Sequence, residues 1–119
     1  MNGRLTTHAL DLSKGLPAKE LKIELWHLGS ENNRNLVKTV YTNHDGRVET
    51  PLLEGEDLKI GEYELLFYVG DYFQTKNLEI LEKPFLDLVP IRFGINDNKA
   101  HYHIPLLMAP GGYSTYRGS

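Results

Sequence analysis

The 119-residue sequence contains no cysteine. Thiol catalysis, disulfide cross-links and cysteine-based zinc sites are therefore excluded, and the absence fits a reducing compartment. No apolar run approaches the roughly 20 residues that are needed to span a bilayer. The N-terminal residues contain no hydrophobic stretch long enough for a secretory signal. These absences predict a cytoplasmic protein that does not enter membranes.

Basic residues do not predominate in the chain. There are 13 lysine and arginine residues against 16 aspartate and glutamate residues, and the formal net charge is −3 at pH 7. A nucleic-acid-binding protein usually carries a basic stripe, so this balance argues against a nucleic-acid partner. The length is typical of one domain, and we expect residues 1–119 to form a single domain whose core needs neither disulfides nor metal.

The common catalytic signatures are also missing. There is no G-x-S-x-G nucleophile elbow, no H-E-x-x-H zinc motif, and no phosphate-cradling or dinucleotide-binding glycine loop. Any chemistry must therefore come from side chains that are dispersed along the sequence and brought together by the fold.

The chain consists of short strand-like runs that are separated by turn signals about every ten residues, a spacing typical of a sandwich or barrel. Leu21, Ile23 and Leu25 alternate with charged residues, which indicates a half-buried strand. One short helix is predicted over residues 71–77, with Asp71 as its N-cap. The pattern favours an all-β, antiparallel β-sandwich of two sheets. The predicted strands cover residues 5–12, 19–28, 36–42, 52–53, 62–69, 86–95, 101–108 and 113–117.

The last long strand suggests a covered surface. Strands 86–95 and 101–108 have the pattern of a hairpin across the turn at 96–99. The even positions of 101–108 form an apolar core face, but the odd positions carry too little charge for a solvated face. Since a sandwich has only two sheets, we predict that another subunit covers the odd face. The first strand is similarly two-sided, so we expect an oligomer whose interface includes histidines.

Five histidines are candidates for proton transfer, because the pKa of histidine, about 6.5, lies near neutral pH. His103 lies on the covered face, where a structural role and a proton-transfer role are equally reasonable. His8 lies in mid-strand among threonines, where a structural role is the ordinary explanation. We expect His27, His44 and His101 to be exposed to solvent.

A metal site is the next alternative. His101 and His103 place two imidazoles on one face of a strand, an arrangement that zinc sites can use. The third ligand would have to be His8 or a carboxylate. Because no established metal motif accompanies the pair, metal catalysis is disfavoured.

Arg47 follows a tight turn, and Arg117 lies near the C-terminus. Each could be a solvated or ion-paired arginine, or a guanidinium fork aimed at a planar, oxygen-rich or anionic ligand. Ser119 offers a hydroxyl and the α-carboxylate, which could orient an imidazole or a water, unless the terminus is frayed. The sequence leaves these alternatives open.

Three segments together resemble the 5-hydroxyisourate hydrolases, also called transthyretin-related proteins. Residues 5–11 (LTTHALD), with GLPA at 15–18, look like the N-terminal signature of that family. Residues 42–47 (TNHDGR) look like its central turn. Residues 102–107 (YHIPLL), continuing through 113–119 (YSTYRGS), are similar to its long C-terminal signature. The resemblance spans nearly the whole sequence.

The resemblance implies a transthyretin-like sandwich of two antiparallel sheets with one short helix. It implies a homotetramer, a dimer of dimers, with active sites in a channel at the dimer–dimer interface. The implied reaction is hydrolysis of 5-hydroxyisourate, in which water opens a cyclic amide to give 2-oxo-4-hydroxy-4-carboxy-5-ureidoimidazoline during urate degradation. The resemblance implies no metal and no organic cofactor.

The same resemblance assigns roles to six residues. Catalysis is assigned to His8, Arg47, His103 and Ser119, and substrate binding to His8, Arg47, Tyr116 and Arg117. One imidazole would take a proton from water while the other polarises the substrate or protonates the leaving nitrogen. Which histidine is the base is left open.

Two other functions are compatible with such a fold. One is a hormone carrier of the transthyretin type, which lacks the equivalents of His8, Arg47 and His103. The other is an adhesion or scaffold sandwich without chemistry, which would leave the polar groups on covered strand faces unexplained.

Overall fold

A computed structural model describes residues 3–76 and 83–118 of the chain. Within these residues the chain forms nine strands, one α-helix and one 3-10 turn, Gly55–Asp57. The strands and the helix, in chain order, are β1 (Arg4–Asp11), β2 (Leu16–Pro17), β3 (Lys22–Leu28), β4 (Arg34–Tyr41), β5 (Leu53–Glu54), β6 (Gly61–Tyr68), α1 (Val69–Lys76), β7 (Leu88–Ile95), β8 (His101–Ala109) and β9 (Gly112–Thr115).

The strands form two sheets that pack face to face, which confirms the predicted sandwich. The smaller sheet has the order β4-β3-β6-β7 and is antiparallel throughout. The larger sheet has the order β2-β1-β8-β9, with β5 paired to β1. In this sheet β1 and β8 run parallel. The expectation of wholly antiparallel sheets was therefore wrong for one pair, because these two strands come from opposite ends of the sequence and no hairpin fixes their direction.

The core lies between the sheets and is built by strand alternation. On β1 and β8 the inward side chains are buried, while the neighbouring positions face outward and are half-buried or exposed, apart from the buried Pro105. The even positions of β8 are buried, as predicted. Burial of each large aliphatic side chain contributes about 1.5–3 kcal/mol of hydrophobic stabilisation. The inward hydrophobic residues of these two strands, all at most 7% exposed, are Leu5, Ala9, Tyr102, Ile104, Leu106 and Met108.

The helix begins earlier than predicted. It starts at Val69, directly after β6, so Asp71 lies in its first turn rather than at its N-cap. Its predicted last residue, 77, lies outside the described residues. The helix is tied to the larger sheet because the Tyr72 hydroxyl donates a 2.9 Å hydrogen bond to the buried Asp11 carboxylate. None of the helices within the described ranges is long and apolar enough to cross a membrane.

The predicted hairpin between strands 86–95 and 101–108 was wrong. β7 pairs with β6, whereas β8 pairs with β1 and β9, so the turn carries the chain from one sheet to the other. The phenol of Tyr102 fixes this crossing by accepting hydrogen bonds from the main-chain N–H groups of Asn96 (3.2 Å) and Asp97 (3.1 Å). The change of sheet brings β8 beside β1, where the candidate site lies.

Candidate active site

The candidate site lies on the outer face of the larger sheet, where β1 and β8 are neighbours. The parallel register sets Thr6 opposite His103 and Arg4 opposite His101. Side chains on adjacent strands at the same level project to the same face of a sheet. The outward side chains of the two strands therefore meet, although they are about 95 residues apart in sequence.

The two histidines that the resemblance singled out are in direct contact. His8 Nδ1 and His103 Nε2 lie 2.7 Å apart, within hydrogen-bond distance. Their rings are stacked, with centroids 4.8 Å apart and planes inclined by 27°. On its other side, His103 Nδ1 lies 2.7 Å from the hydroxyl oxygen of Thr6. Both nitrogens of His103 are thus engaged, and its ring orientation is fixed.

A tight turn presents Arg47 to the histidine pair. The Asn43 carboxamide oxygen accepts from the main-chain N–H groups of Asp45 and Arg47. Gly46 has φ of +74°, and a Cβ there would lie 2.4 Å from the Ala9 carbonyl oxygen, so this position requires glycine. The Gly46 carbonyl accepts a hydrogen bond from Ala9 N–H (2.9 Å). This hydrogen bond holds the turn against β1, where the main chain of Arg47 forms an isolated β-bridge with that of His8.

The C-terminal segment passes beside His103. Gly118 forms an isolated bridge with His103, and its N–H donates a 2.7 Å hydrogen bond to the His103 carbonyl. A Cβ at Gly118 would lie 2.8 Å from His103 Cδ2, closer than real contacts allow. The absence of a side chain at Gly118 therefore lets the chain pass over the imidazole. Ser119 lies outside the described residues.

Within the single chain, Tyr116 and Arg117 line a different cavity from the one beside His103. The Arg117 guanidinium lies 4.2 Å from the centre of the Tyr102 ring and donates a 3.3 Å hydrogen bond to the His101 carbonyl. Tyr116 is exposed, and with Arg117 it lines a separate cavity of about 190 Å³ at the edge of β7, against Ile91 and Phe93. Among the described residues, the partner of the Arg117 guanidinium is thus an aromatic ring, in a cation–π contact, and not a carboxylate.

A cavity of about 360 Å³ opens next to His103. Two arginines contribute to its wall, and no carboxylate does so among the described lining residues. His8 does not line the cavity. It adjoins the wall through the contact of its ring with His103 and through the main-chain bridge with Arg47. Such a wall favours an anionic or oxygen-rich ligand. The described lining residues are Arg4, Thr6, Thr7, Arg47, Val48, His101 and His103.

Sequence reasoning missed Arg4 and Thr6 as parts of this wall. The signal was available, because both share the parity of His8 on a strand with a period of two. The other histidines fall as follows: His44 and His101 are exposed, as expected, whereas His27 is half-buried and packs edge-on against Tyr63 on the smaller sheet.

The surroundings disfavour protonation of both paired histidines. Burial, with a smaller contribution from the Arg47 charge, lowers the pKa of His8. Burial also lowers the pKa of His103, followed by repulsion from His8, Arg47 and His101. Since the two rings are in contact, they titrate as a pair. The pair is therefore neutral at neutral pH, the state in which an imidazole nitrogen can accept a proton.

No group of three or more histidine, cysteine, aspartate or glutamate side chains with a geometry suited to a metal ion occurs in residues 3–76 and 83–118. The His101-X-His103 pair and His8, which sequence raised as possible ligands, instead form hydrogen bonds with one another and with Thr6.

The chain is similar to known proteins over nearly its whole length. The chain is 54% identical to 5-hydroxyisourate hydrolase 2 of Rhizobium meliloti (strain 1021), over 99% of this chain and 98% of that protein. Among solved structures it is similar to (S)-allantoin synthase (TM-score 0.92, 44% identity), covering 99% of this chain but only 44% of that one. It is also similar to Klebsiella pneumoniae 5-hydroxyisourate hydrolase (TM-score 0.81, 32% identity), covering 98% and 99% of the two chains. The family model described as HIUase/Transthyretin matches residues 5–118, so the chain belongs to the HIUase/Transthyretin family.

Proposed function

We propose that this protein hydrolyses 5-hydroxyisourate to 2-oxo-4-hydroxy-4-carboxy-5-ureidoimidazoline in urate degradation. The observation that carries the proposal is the His8–His103 contact beside Arg47, in a chain that shares full-length similarity with proteins named for this reaction. The reaction adds water to a cyclic amide carbonyl and breaks its C–N bond. It therefore requires a base for the water, support for a developing oxyanion and a proton for the leaving nitrogen, and in this proposal it uses no metal or organic cofactor.

The hydrogen bonds favour His8 as the base. Both ring nitrogens of His103 are engaged, Nδ1 by Thr6 and Nε2 by His8. His8 uses Nδ1 for this contact, and its Nε2 has no hydrogen-bond partner among the described residues. When His8 Nδ1 donates to His103, a lone pair is left on His8 Nε2. In our proposal this nitrogen takes a proton from the attacking water, while His103 holds His8 in the reactive tautomer.

Arg47 supplies the positive charge that this reaction needs. It lines the cavity, its main chain forms a bridge with that of His8, and its charge lowers the pKa of His8. A guanidinium fork matches the planar, oxygen-rich substrate and stabilises negative charge as the carbonyl oxygen becomes an oxyanion. We assign Arg47 both substrate binding and oxyanion stabilisation. We assign contact with substrate also to His8, which adjoins the cavity through the lining residue His103.

We also propose substrate-binding roles for Tyr116 and Arg117, and a role for Ser119 in orienting a histidine or the water. Within one chain, Tyr116 and Arg117 line the other cavity. Their proposed contact with substrate therefore depends on assembly, in which neighbouring chains complete a shared channel.

The proposed assembly is a homotetramer, a dimer of dimers. The outer face around the site supports it, because apolar side chains there are not covered in the single chain: Leu10 and Leu107 are only half-buried, and Leu12, directly after β1, is 54% exposed. Sedimentation velocity at micromolar concentration should give the mass of four copies of the 13.6 kDa chain. Sedimentation as a monomer would contradict the shared channel.

A direct assay tests the activity. 5-Hydroxyisourate is generated fresh from urate with urate oxidase, and its ultraviolet absorbance is followed with and without this protein. We expect a decay much faster than the spontaneous decay, and we expect His8→Gln to remove most of the increase. An unchanged decay with the wild-type protein would refute the proposed function. A fully active His8→Gln protein would show that the activity comes from another site or a contaminant.

A further inference from the structure

The hydrogen bonds around the histidine pair continue beyond His103. The Thr6 hydroxyl oxygen, 2.7 Å from His103 Nδ1, also lies 3.2 Å from His101 Nε2. The groups thus follow the order His8, His103, Thr6, His101, and the last of them is exposed. We propose that Thr6 and His101 extend the histidine pair into a proton relay, in which Thr6 sets the tautomer of His103 and His101 exchanges protons with solvent.

Each member of this relay can both accept and donate a proton. A neutral imidazole has one N–H and one lone pair, and a threonine hydroxyl donates one hydrogen bond while accepting others. Before the reaction, all the hydrogen bonds point from His8 toward His101, which we call the resting direction. His8 Nδ1–H donates to His103 Nε2, His103 Nδ1–H donates to Thr6, and the Thr6 hydroxyl donates to His101 Nε2. This direction is the one that leaves a lone pair on His8 Nε2, as the proposed base requires.

The relay gives a balanced proton path for the proposed hydrolysis, on which this inference rests. As the water oxygen bonds to the carbonyl carbon, His8 Nε2 takes a proton from the water. One proton then shifts across each hydrogen bond toward His101, which releases a proton to solvent. When the C–N bond breaks, its electron pair stays on the leaving nitrogen, and His8 Nε2–H protonates that nitrogen. Protons then shift back from His101, which takes one from solvent, and the product carboxylic acid ionises. The four groups return to the resting direction.

Electrostatics explain why an exit path is useful. The cationic groups near the pair are Arg4 and Arg47 on the cavity wall and Arg117 at the His101 carbonyl, and no described lining residue is a carboxylate. A proton kept on His8 would therefore create an imidazolium next to other positive charges. Burial and the Arg47 charge lower the pKa of His8, and burial together with repulsion from His8, Arg47 and His101 lowers the pKa of His103. Releasing the proton to solvent from exposed His101 avoids leaving that charge beside the arginines.

His101 is held in a way that suits exchange with solvent. Its ring lies at the start of β8, on the cavity wall, with its centroid 6.5 Å from that of His103. Its main-chain carbonyl accepts the hydrogen bond from Arg117, so the backbone is fixed without using the imidazole. The side chain can therefore be removed while this anchor is kept, which makes a clean test possible.

The first test replaces the Thr6 hydroxyl. In Thr6→Val, His103 Nδ1–H would have no acceptor, so His103 should change to the Nε2–H tautomer, which nitrogen-15 NMR of the histidine rings detects. Loss of one hydrogen bond to a group that carries charge during the reaction should lower kcat roughly tenfold to a hundredfold. Thr6→Ser keeps the hydroxyl and should preserve both tautomer and rate. Thr39→Val, at an exposed position on the other sheet, is the matched control and should change neither.

The second test removes the His101 imidazole, the group proposed to exchange protons with solvent. His101→Ala should have a reduced kcat in dilute buffer, and added imidazole should restore the rate in a saturable manner, whereas the wild-type rate should not respond. A His101→Ala protein with the wild-type kcat in dilute buffer, or no recovery with imidazole, would overturn the exit through His101. An unchanged His103 tautomer and rate in Thr6→Val would overturn the role of Thr6. Either result can coexist with an active wild type, whereas an inactive wild type refutes the proposed hydrolysis itself, and the NMR result still tests the tautomer.

Discussion

Replacing His103 by glutamine is expected to lower kcat/KM for 5-hydroxyisourate by about 10²–10⁴-fold, the usual contribution of general acid–base catalysis. Glutamine can occupy the space between Thr6 and His8, but its amide cannot pass a proton from one neighbour to the other. His8 would then lose the partner that fixes its Nδ1–H tautomer, 2.7 Å away. The base would remain in place with the wrong nitrogen protonated for part of the time.

His27→Gln is the matched control for this variant. The same substitution is then made on the smaller sheet, where His27 packs against Tyr63, and it should leave kcat/KM unchanged. If His8 and His103 act as one unit, the double variant should be no slower than the slower of the two single variants. Fully additive losses would mean that the two histidines act in separate steps. A His103→Gln protein with wild-type kcat/KM would remove His103 from the mechanism.

Much of the sandwich could be predicted from local sequence patterns. β3 was found because its apolar residues alternate with a period of two, and β8 because its even positions form an apolar face; such patterns directly reflect the burial of one strand face. The connection between β7 and β8 was not predictable in this way. Turn residues at 96–99 show that the chain reverses, but they do not say whether the next strand joins the same sheet. That choice depends on β1 already offering an edge to β8, about 95 residues away.

The candidate site shows the same limit. Sequence reasoning selected His8, Arg47 and His103 by their chemical type and by resemblance, and the structure brings these three together. It did not select Thr6, because parity with His8 places this threonine on the same strand face but does not show which side chain it contacts. The 2.7 Å contact with His103 exists only through the parallel register of β1 and β8. Their direction and register are decided by tertiary packing, which local periodicity does not report.

Replacing Arg47 by glutamine is expected to lower kcat by about 10²–10³-fold, the usual cost of removing one group that stabilises an oxyanion. Glutamine keeps a polar side chain at the turn but removes the positive charge beside His8. It should also weaken substrate binding, because the guanidinium fork lines the cavity. Initial rates over a range of fresh 5-hydroxyisourate concentrations separate the two effects, and an unchanged kcat would contradict the assignment.

The pH profile distinguishes the charge of Arg47 from its hydrogen bonds. A neutral His8 is the active base, so kcat/KM should fall as pH decreases through its pKa, which burial first and Arg47 second hold below the ordinary value of 6.5. Removing the Arg47 charge removes one cause of that lowering, so the acid limb in Arg47→Gln should move to higher pH. Arg47→Lys keeps the charge and loses the fork, so its rate should fall while its acid limb stays near that of the wild type. Acid limbs at the same pH in all three proteins would show that Arg47 does not influence the proton affinity of the histidine pair, and its role would then be confined to binding substrate and stabilising the oxyanion.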